Sequence, residues 1–336
     1  MRSMGKWLAA VLGLFLAGPA MAVELIFVGD VMLDDGPGRA LLAGRDPLVA
    51  FAPLLASADY RIANLECPVA TSGAPLANKI YSFRAHPRSM SALVGRFDAV
   101  ALSNNHSGDY GQEAFLETMG HLDKAGIRYF GGGANLAEAH APLWIERQGL
   151  RIAVLGYNEF KPRSFEAGAR RAGVAWSEDG QVLTDIRAAR RAGADLVIPF
   201  MHWGWELEAG PSPRQRRLAR KMIDAGAAAV VGGHPHVTQG AEIYRGRPII
   251  YSLGNFVFDG FDVPAAQLGW LLRLTLDQQG VAAWHTVEAR IDAEGIPVPA
   301  LDAVTPCGRR GEARVSLCRK GVPAPEAGPY IMPSNN

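Results

Sequence analysis

The sequence predicts an α/β fold with one main domain, and three observations carry that prediction. Short β-branched and apolar runs alternate with helical patterns up to about residue 260. Hydrophobic residues make up 49% and charged residues 20% of the 336, with 38 Gly and 22 Pro, a composition that excludes disorder, collagen-like repeats and a long coiled coil. The length exceeds the ~100 to 200 residues usual for a domain, so a large domain with an appendage is expected. With 34 basic and 33 acidic residues the formal charge is +1, which gives no electrostatic reason to expect nucleic acid as a partner.

Residues 1–22 stand apart from the fold. Arg2 and Lys6 precede an apolar run over 7–18, and the stretch closes on Ala20-Met21-Ala22, the pattern of a secretory signal with its cleavage site. The apolar run is shorter than the ~20 residues that span a bilayer, which favours removal over anchoring. Cleavage takes two basic and no acidic residues, leaving 314 residues with a formal charge of −1. No later segment reads as a transmembrane helix, so the mature chain is expected to be soluble and secreted or periplasmic, in an oxidising compartment.

Within residues 23–299, strands are expected over 23–28, 60–65, 99–102, 151–155, 196–201, 228–231 and 248–253. Helices over 116–125 and 182–191 have apolar residues three and four apart and end in Ala-Gly. A third helix has Ser212 as N-cap, Pro213 in its first turn, Leu218, Met222 and Ile223 on one face, and Gly226 at its stop. Residues 270–276 and 283–291, joined through Gln279-Gly280, read as a β-hairpin that closes the sheet. Residues 300–336, rich in Pro, Gly and Arg, read as an irregular surface tail. Cys307 and Cys318 are expected to pair there, since two cysteines without a nearby His make a poor zinc site. Cys67 is left as a buried thiol.

The polar residues with ligand chemistry each follow directly on an apolar strand, where open α/β sheets build their sites. Asp30 closes the first run, Asn64-Leu65-Glu66 the second and Ser103-Asn104-Asn105-His106 the third, while His202-Trp203-Gly204 and Gly233-His234-Pro235-His236 follow later runs. Taken singly, a His or Asp after a strand is more often a satisfied structural residue or a cap; five together need five separate structural explanations. Carboxylates, carboxamides and imidazoles suit Zn, Mn or Fe rather than Ca. The glycines before His234 and His236 leave room for a turn that aims both imidazoles at one cluster, and a bridging carboxylate points to two metal ions.

These motifs, with Gly29-Asp30-Val31-Met32, Ser107-Gly108-Asp109-Tyr110-Gly111 and Tyr251-Ser252-Leu253-Gly254-Asn255-Phe256, resemble the CapA family of poly-γ-glutamate capsule synthesis over residues 24 to about 290. That family is similar to calcineurin-like metallophosphoesterases, which implies a four-layer αββα sandwich. By the resemblance Asp30 and His236 would hold one divalent metal ion, Asn105, His202 and His234 the other, Glu66 would bridge them, and His106 would be the catalytic acid. Met32 stands where the broader superfamily carries a His ligand, and a thioether is a poor ligand for such metals, so the first site is expected to be the weaker.

The resemblance therefore implies a secreted dinuclear-metal hydrolase acting in synthesis or processing of a cell-envelope or extracellular polymer. Phosphoester hydrolysis is the favoured chemistry, on an anionic polymer or phosphoester substrate, with capsule synthesis proteins as partners. The alternatives are a non-catalytic metal-binding component of a capsule assembly and a γ-glutamyl amide hydrolase. No Gly-x-x-x-x-Gly-Lys loop supports a phosphate-binding module. Trp203 and Glu206, with Trp205 near them, and Asn64 are the candidates for contact with substrate. Arg214, Arg216, Arg217, Arg220 and Lys221 offer an anionic polymer a partner, but read first as a solvated helix face. Asn255 reads as a turn-fixing residue.

Overall fold

The structure is a computed structural model that describes residues 22–335; the secretory segment expected over 1–22 lies, Ala22 apart, outside the described residues. Two sheets carry the fold. The larger has eleven strands. Val23–Val31 lies inside it, with Tyr60–Leu65 and Ala99–Ala101 parallel on one side and the antiparallel hairpin Leu268–Asp277 and Gly280–Ile291 on the other. The smaller sheet has six strands, with Leu150–Asn158, Leu196–His202 and Val230–Gly233 parallel in its middle.

The period-two alternation of these strands explains why the sheets stack. Leu25, Phe27 and Ile62 face one way and join Ile152, Ile198, Phe200 and Val231 of the smaller sheet in a core between the two. Phe27 meets Phe200 edge to face, with centroids 5.6 Å apart. Ile26, Val28 and Leu65 face the other way and pack with Phe115, Met119 and Leu122 of the helix Gly111–Ala125. On the far side of the smaller sheet, Val197 and Met201 pack with Ile186 of the helix Asp179–Arg191 and Leu218 and Met222 of the helix Pro213–Asp224. Three cores thus separate four layers, helix, sheet, sheet and helix, which is the expected αββα sandwich.

Local signals explain where the helices begin and end. Gly126, left-handed at φ 69°, ends the helix that begins at Gly111, five residues before the periodic segment. Ser212 caps as expected: its hydroxyl accepts from Gln215 N while Gln215 Oε1 accepts from Ser212 N, a reciprocal pair.

Two expectations about the C-terminal part are corrected. The hairpin does not close the sheet, because Val304–Arg309 and Ser316–Arg319 add further strands beyond it. Nor is the segment an irregular tail over its full length. Thr286 and Thr305 exchange side-chain-to-carbonyl hydrogen bonds with neighbouring backbone, and Cys307 and Cys318 are buried and bonded to each other. Strands this short, interrupted by Pro306 and Gly308, carry too little alternation to be read from sequence. Past Pro323 the chain crosses to the smaller sheet, where Tyr330 Oη accepts from Ala241 N and Asn335 bonds Gly210 N and O.

The 11-residue separation of the bridge limits its contribution to about 2 to 3 kcal/mol. A Cys307→Ser/Cys318→Ser chain should lose that much in urea unfolding. Mass spectrometry without reduction should find one bridge and a free Cys67, which is buried and accepts a hydrogen bond from Leu33 N; a bridge to Cys67 would contradict the arrangement.

Candidate metal centre

The parallel strands of both sheets end on one edge of the sandwich, and the expected ligands collect there. Asp30 and Glu66 come from the larger sheet, with Asn105 and His106 on the loop after Ala99–Ala101. His202 ends a strand of the smaller sheet, and His234 and His236 follow another. All are buried. Two groups share one carboxylate: Asp30, Glu66 and His236, and Glu66, His202 and His234, each with its ligand atoms within 4.8 Å of one another. His202 Nε2 lies 2.6 Å from Asn105 Oδ1, 3.1 Å from His234 Nδ1 and 3.3 Å from Glu66 Oε1.

The backbone is strained to achieve this. His234 and His236 have φ of 94° and 57°, a left-handed conformation in which non-glycine residues concentrate at functional sites. The turn is therefore made by the histidines themselves, a correction to the role expected of the preceding glycines. Gly232 and Gly233 serve close approach instead: a Cβ at Gly232 would lie 2.1 Å from Tyr251 O, and one at Gly233 would lie 2.9 Å from Asp30 Oδ1.

Burial shifts the two carboxylates and the three imidazoles of these groups toward their neutral forms. Burial, helped by the charge of Glu66, pushes Asp30 up to about 8, and burial holds Glu66 well above the usual carboxylate range. Burial lowers His202 to about 4 and His236 to about 3, and depresses His234 strongly. Neutral imidazoles beside carboxylates short of positive charge are the state that receives a cation. Within the cluster two buried atoms have no hydrogen-bond partner, Glu66 Oε1 and His234 Nε2. Asn255 Oδ1 accepts from His236 Nδ1 at 2.7 Å, and its amide N–H donates to Ala266 O. Asn255 thus holds His236 with Nε2 toward Glu66, 3.9 Å away, a more specific task than the expected turn fixing.

His106 sits beside this cluster. Its Nδ1 lies 2.7 Å from Asp109 Oδ2, and burial lowers its affinity for a proton while Asp109 works the other way. Lys79 closes the arrangement, donating to Asn105 O at 2.7 Å and pairing with Asp109. The sequence reading gave no role to Asp109 or Lys79. Asp109 lay within a quoted motif, whereas Lys79 comes from a long loop with no periodic or spacing signal.

The remaining candidates separate. Glu206 lies at the mouth of a cleft lined by Lys79, Tyr81, His106, Phe160 and Lys161. Trp203 is fully buried, with Nε1 donating to Tyr251 O, so it packs the core and does not shape the cleft; exposed Trp205 lies at the rim, edge to face with Phe160. Asn64 is buried and its amide is bonded within the cluster, which removes it from substrate contact. Met32 packs in the core and its sulfur accepts from Asp34 N. The basic helix is largely neutralised: Arg214 pairs with Glu159 and Asp179, Lys221 with Asp179, and Arg216 and Arg220 with Glu242.

Fold and cluster together define the class, a two-sheet α/β protein with a buried carboxylate and histidine centre suited to divalent metal ions. The chain belongs to the family described as bacterial capsule synthesis protein PGA_cap, whose model matches residues 24–260. It is 34% identical over 238 residues to the PGA biosynthesis protein CapA of Bacillus subtilis (strain 168), covering 69% of this chain and 62% of that one. It is 33% identical over 271 residues to the capsule biosynthesis protein CapA of Bacillus anthracis, covering 75% and 63%. The chain thus spans a little over three-fifths of the length of these relatives. Among solved structures, the NAD nucleotidase of Haemophilus influenzae aligns with a TM-score of 0.42 at 15% identity, covering 83% of this chain and 49% of that one. Among the described residues no helix is long and apolar enough to cross a membrane.

Proposed function

We propose that the chain is a secreted dinuclear-metal hydrolase of the capsule synthesis family, cleaving phosphoester bonds in the synthesis or processing of a cell-envelope or extracellular polymer. Glu66 Oε1 is the observation that carries this reading. It is buried without a hydrogen-bond partner, facing His202 Nε2 and His236 Nε2 on the residue shared by both ligand groups, and a buried carboxylate oxygen without a donor is costly unless a cation takes it. The donor set of carboxylate, carboxamide and imidazole fits Zn, Mn or Fe. Asp30, Glu66 and His236 would hold one ion, and Glu66, Asn105, His202 and His234 the other; with Met32 in the core, the first has fewer protein ligands and is the weaker.

Two such ions, held there, would supply a nucleophile at neutral pH by lowering the pKa of water and would offset the charge that develops on the substrate's oxygens. The protein's own part is orientation and proton transfer. Asp109 at Nδ1 orients His106 and favours its protonated form, which leaves Nε2–H for the departing oxygen. Lys79 ties the Asn105 backbone to Asp109, so that a ligand and the acid's partner move as one unit. The bonded Cys307 and Cys318 support export to an oxidising compartment.

Metal analysis of the purified chain, joined to an ester screen, tests the reading. Growth with Zn and Mn should give up to two ions per chain, one lost more readily, and hydrolysis of an activated aryl phosphate. A metal content near zero would overturn the metal centre. Bound metal without turnover of either an aryl or an alkyl ester would instead favour the non-catalytic component or the γ-glutamyl amide hydrolase.

A further inference from the structure

The orientation of one buried carboxamide in the cluster follows from the groups that surround it. Asn104 presents one side-chain atom to two backbone donors, His106 N at 3.1 Å and Ser107 N at 2.8 Å. Backbone N–H groups only donate, so that atom is the oxygen. The amide nitrogen of Asn104 must then face Leu65 O at 2.8 Å, a carbonyl that only accepts, and Asn64 at 2.9 Å. The Asn64 atom that receives this donor is consequently its oxygen. Asn64 Nδ2 is left facing inward, 2.8 Å from Asp30 Oδ1, 3.4 Å from Glu66 Oε2 and 3.4 Å from His202 Nδ1. A carboxamide whose oxygen is committed to Asn104 cannot turn that oxygen to a metal ion, so Asn64 does not replace the ligand missing at Met32.

We propose that Asn64 is a positioning residue of the metal centre, holding Asp30 Oδ1 and Glu66 Oε2 so that Asp30 Oδ2 and Glu66 Oε1 face the ions. The inference rests on the metal reading above. Its support lies in what the second oxygen of each carboxylate faces. Asp30 Oδ2 accepts from His234 N at 3.2 Å and lies 3.6 Å from His236 Nδ1, while Glu66 Oε1, without a hydrogen-bond partner, lies 3.3 Å from His202 Nε2 and 3.9 Å from His236 Nε2. A donor that occupies one oxygen of each carboxylate makes each present a single oxygen to the ions, and partners of this kind typically contribute 10- to 100-fold in metal affinity. Asn104 then acts at one remove, through the direction it imposes on Asn64.

The test is a Mn²⁺ titration of the chelator-treated full chain followed by electron paramagnetic resonance, which reads both free Mn²⁺ and the coupling between two bound ions. Asn64→Leu keeps the bulk and removes the donor, and should weaken Mn²⁺ binding by about 10- to 100-fold with loss or change of the coupled signal. Should that chain fail to fold by circular dichroism, Asn64→Asp keeps the shape with an acceptor in place of the donor, and should also alter the coupled signal. Wild-type affinity and coupling in a folded variant would overturn the positioning role alone. A wild-type chain that takes up no Mn²⁺ or Zn²⁺ would overturn the metal centre and this role with it.

Discussion

A Glu66→Ala chain should emerge from growth with Zn and Mn carrying neither ion at wild-type occupancy, with turnover reduced by more than about 10³-fold. The reason is position: Glu66 is the one residue common to both ligand groups, so its loss opens both at once. His202→Ala or His234→Ala should strip only the second site, yet still abolish turnover whatever the leaving group, because the nucleophile depends on that ion. Unfolding would not account for the Glu66 result. Burial already holds this carboxylate well above its usual range, so removing it relieves a desolvated group, and the metal-free variant should melt no lower than the metal-free wild type. Elemental analysis, kinetics and melting with chelator together decide; a Glu66→Ala chain retaining two ions would show that the carboxylate does not bridge.

His106→Ala should leave metal content intact while lowering turnover by about 10² to 10⁴, the usual contribution of a positioned acid. The loss should shrink on an activated aryl phosphate, whose leaving group departs without a proton, and reach its full size on an alkyl phosphate. Asp109→Asn should follow the same pattern more weakly, since it keeps the ring's neighbour but removes the charge that favours the protonated imidazole. If His106→Ala loses metal as the His202 and His234 variants do, the histidine is a ligand and the assignment as acid is wrong.

The strands that carry the site were legible because each combines a buried apolar run with a polar residue at its end. Tyr60–Leu65 matches its expected range, and Leu196–His202 exceeds it by one residue. The residues that gather in the buried cluster were legible for the same reason: polar side chains at strand ends conflict with the apolar runs before them. Legibility failed where the cause was tertiary. Lys79 reaches Asp109 across 30 residues of chain, and the Asn64–Asn104 pair spans 40, separations at which no local pattern survives. Trp203 and Trp205, two apart and alike in type, meet opposite fates, core and rim, which only the packing of the smaller sheet determines. The C-terminal strands failed because edge pairing and a disulfide hold them, rather than alternation.

That the ligand atoms come from two sheets has a kinetic consequence. Asp30, Glu66 and Asn105 ride on one sheet and His202, His234 and His236 on the other, and the core around Phe27 and Phe200 lies between them. Donor atoms within 4.8 Å of one another require that core to be in register, so ions held there would enter late in folding and act as rivets through the two plates. Their release would then wait on the plates parting, and the off-rate of the metal would gauge how often the sandwich breathes.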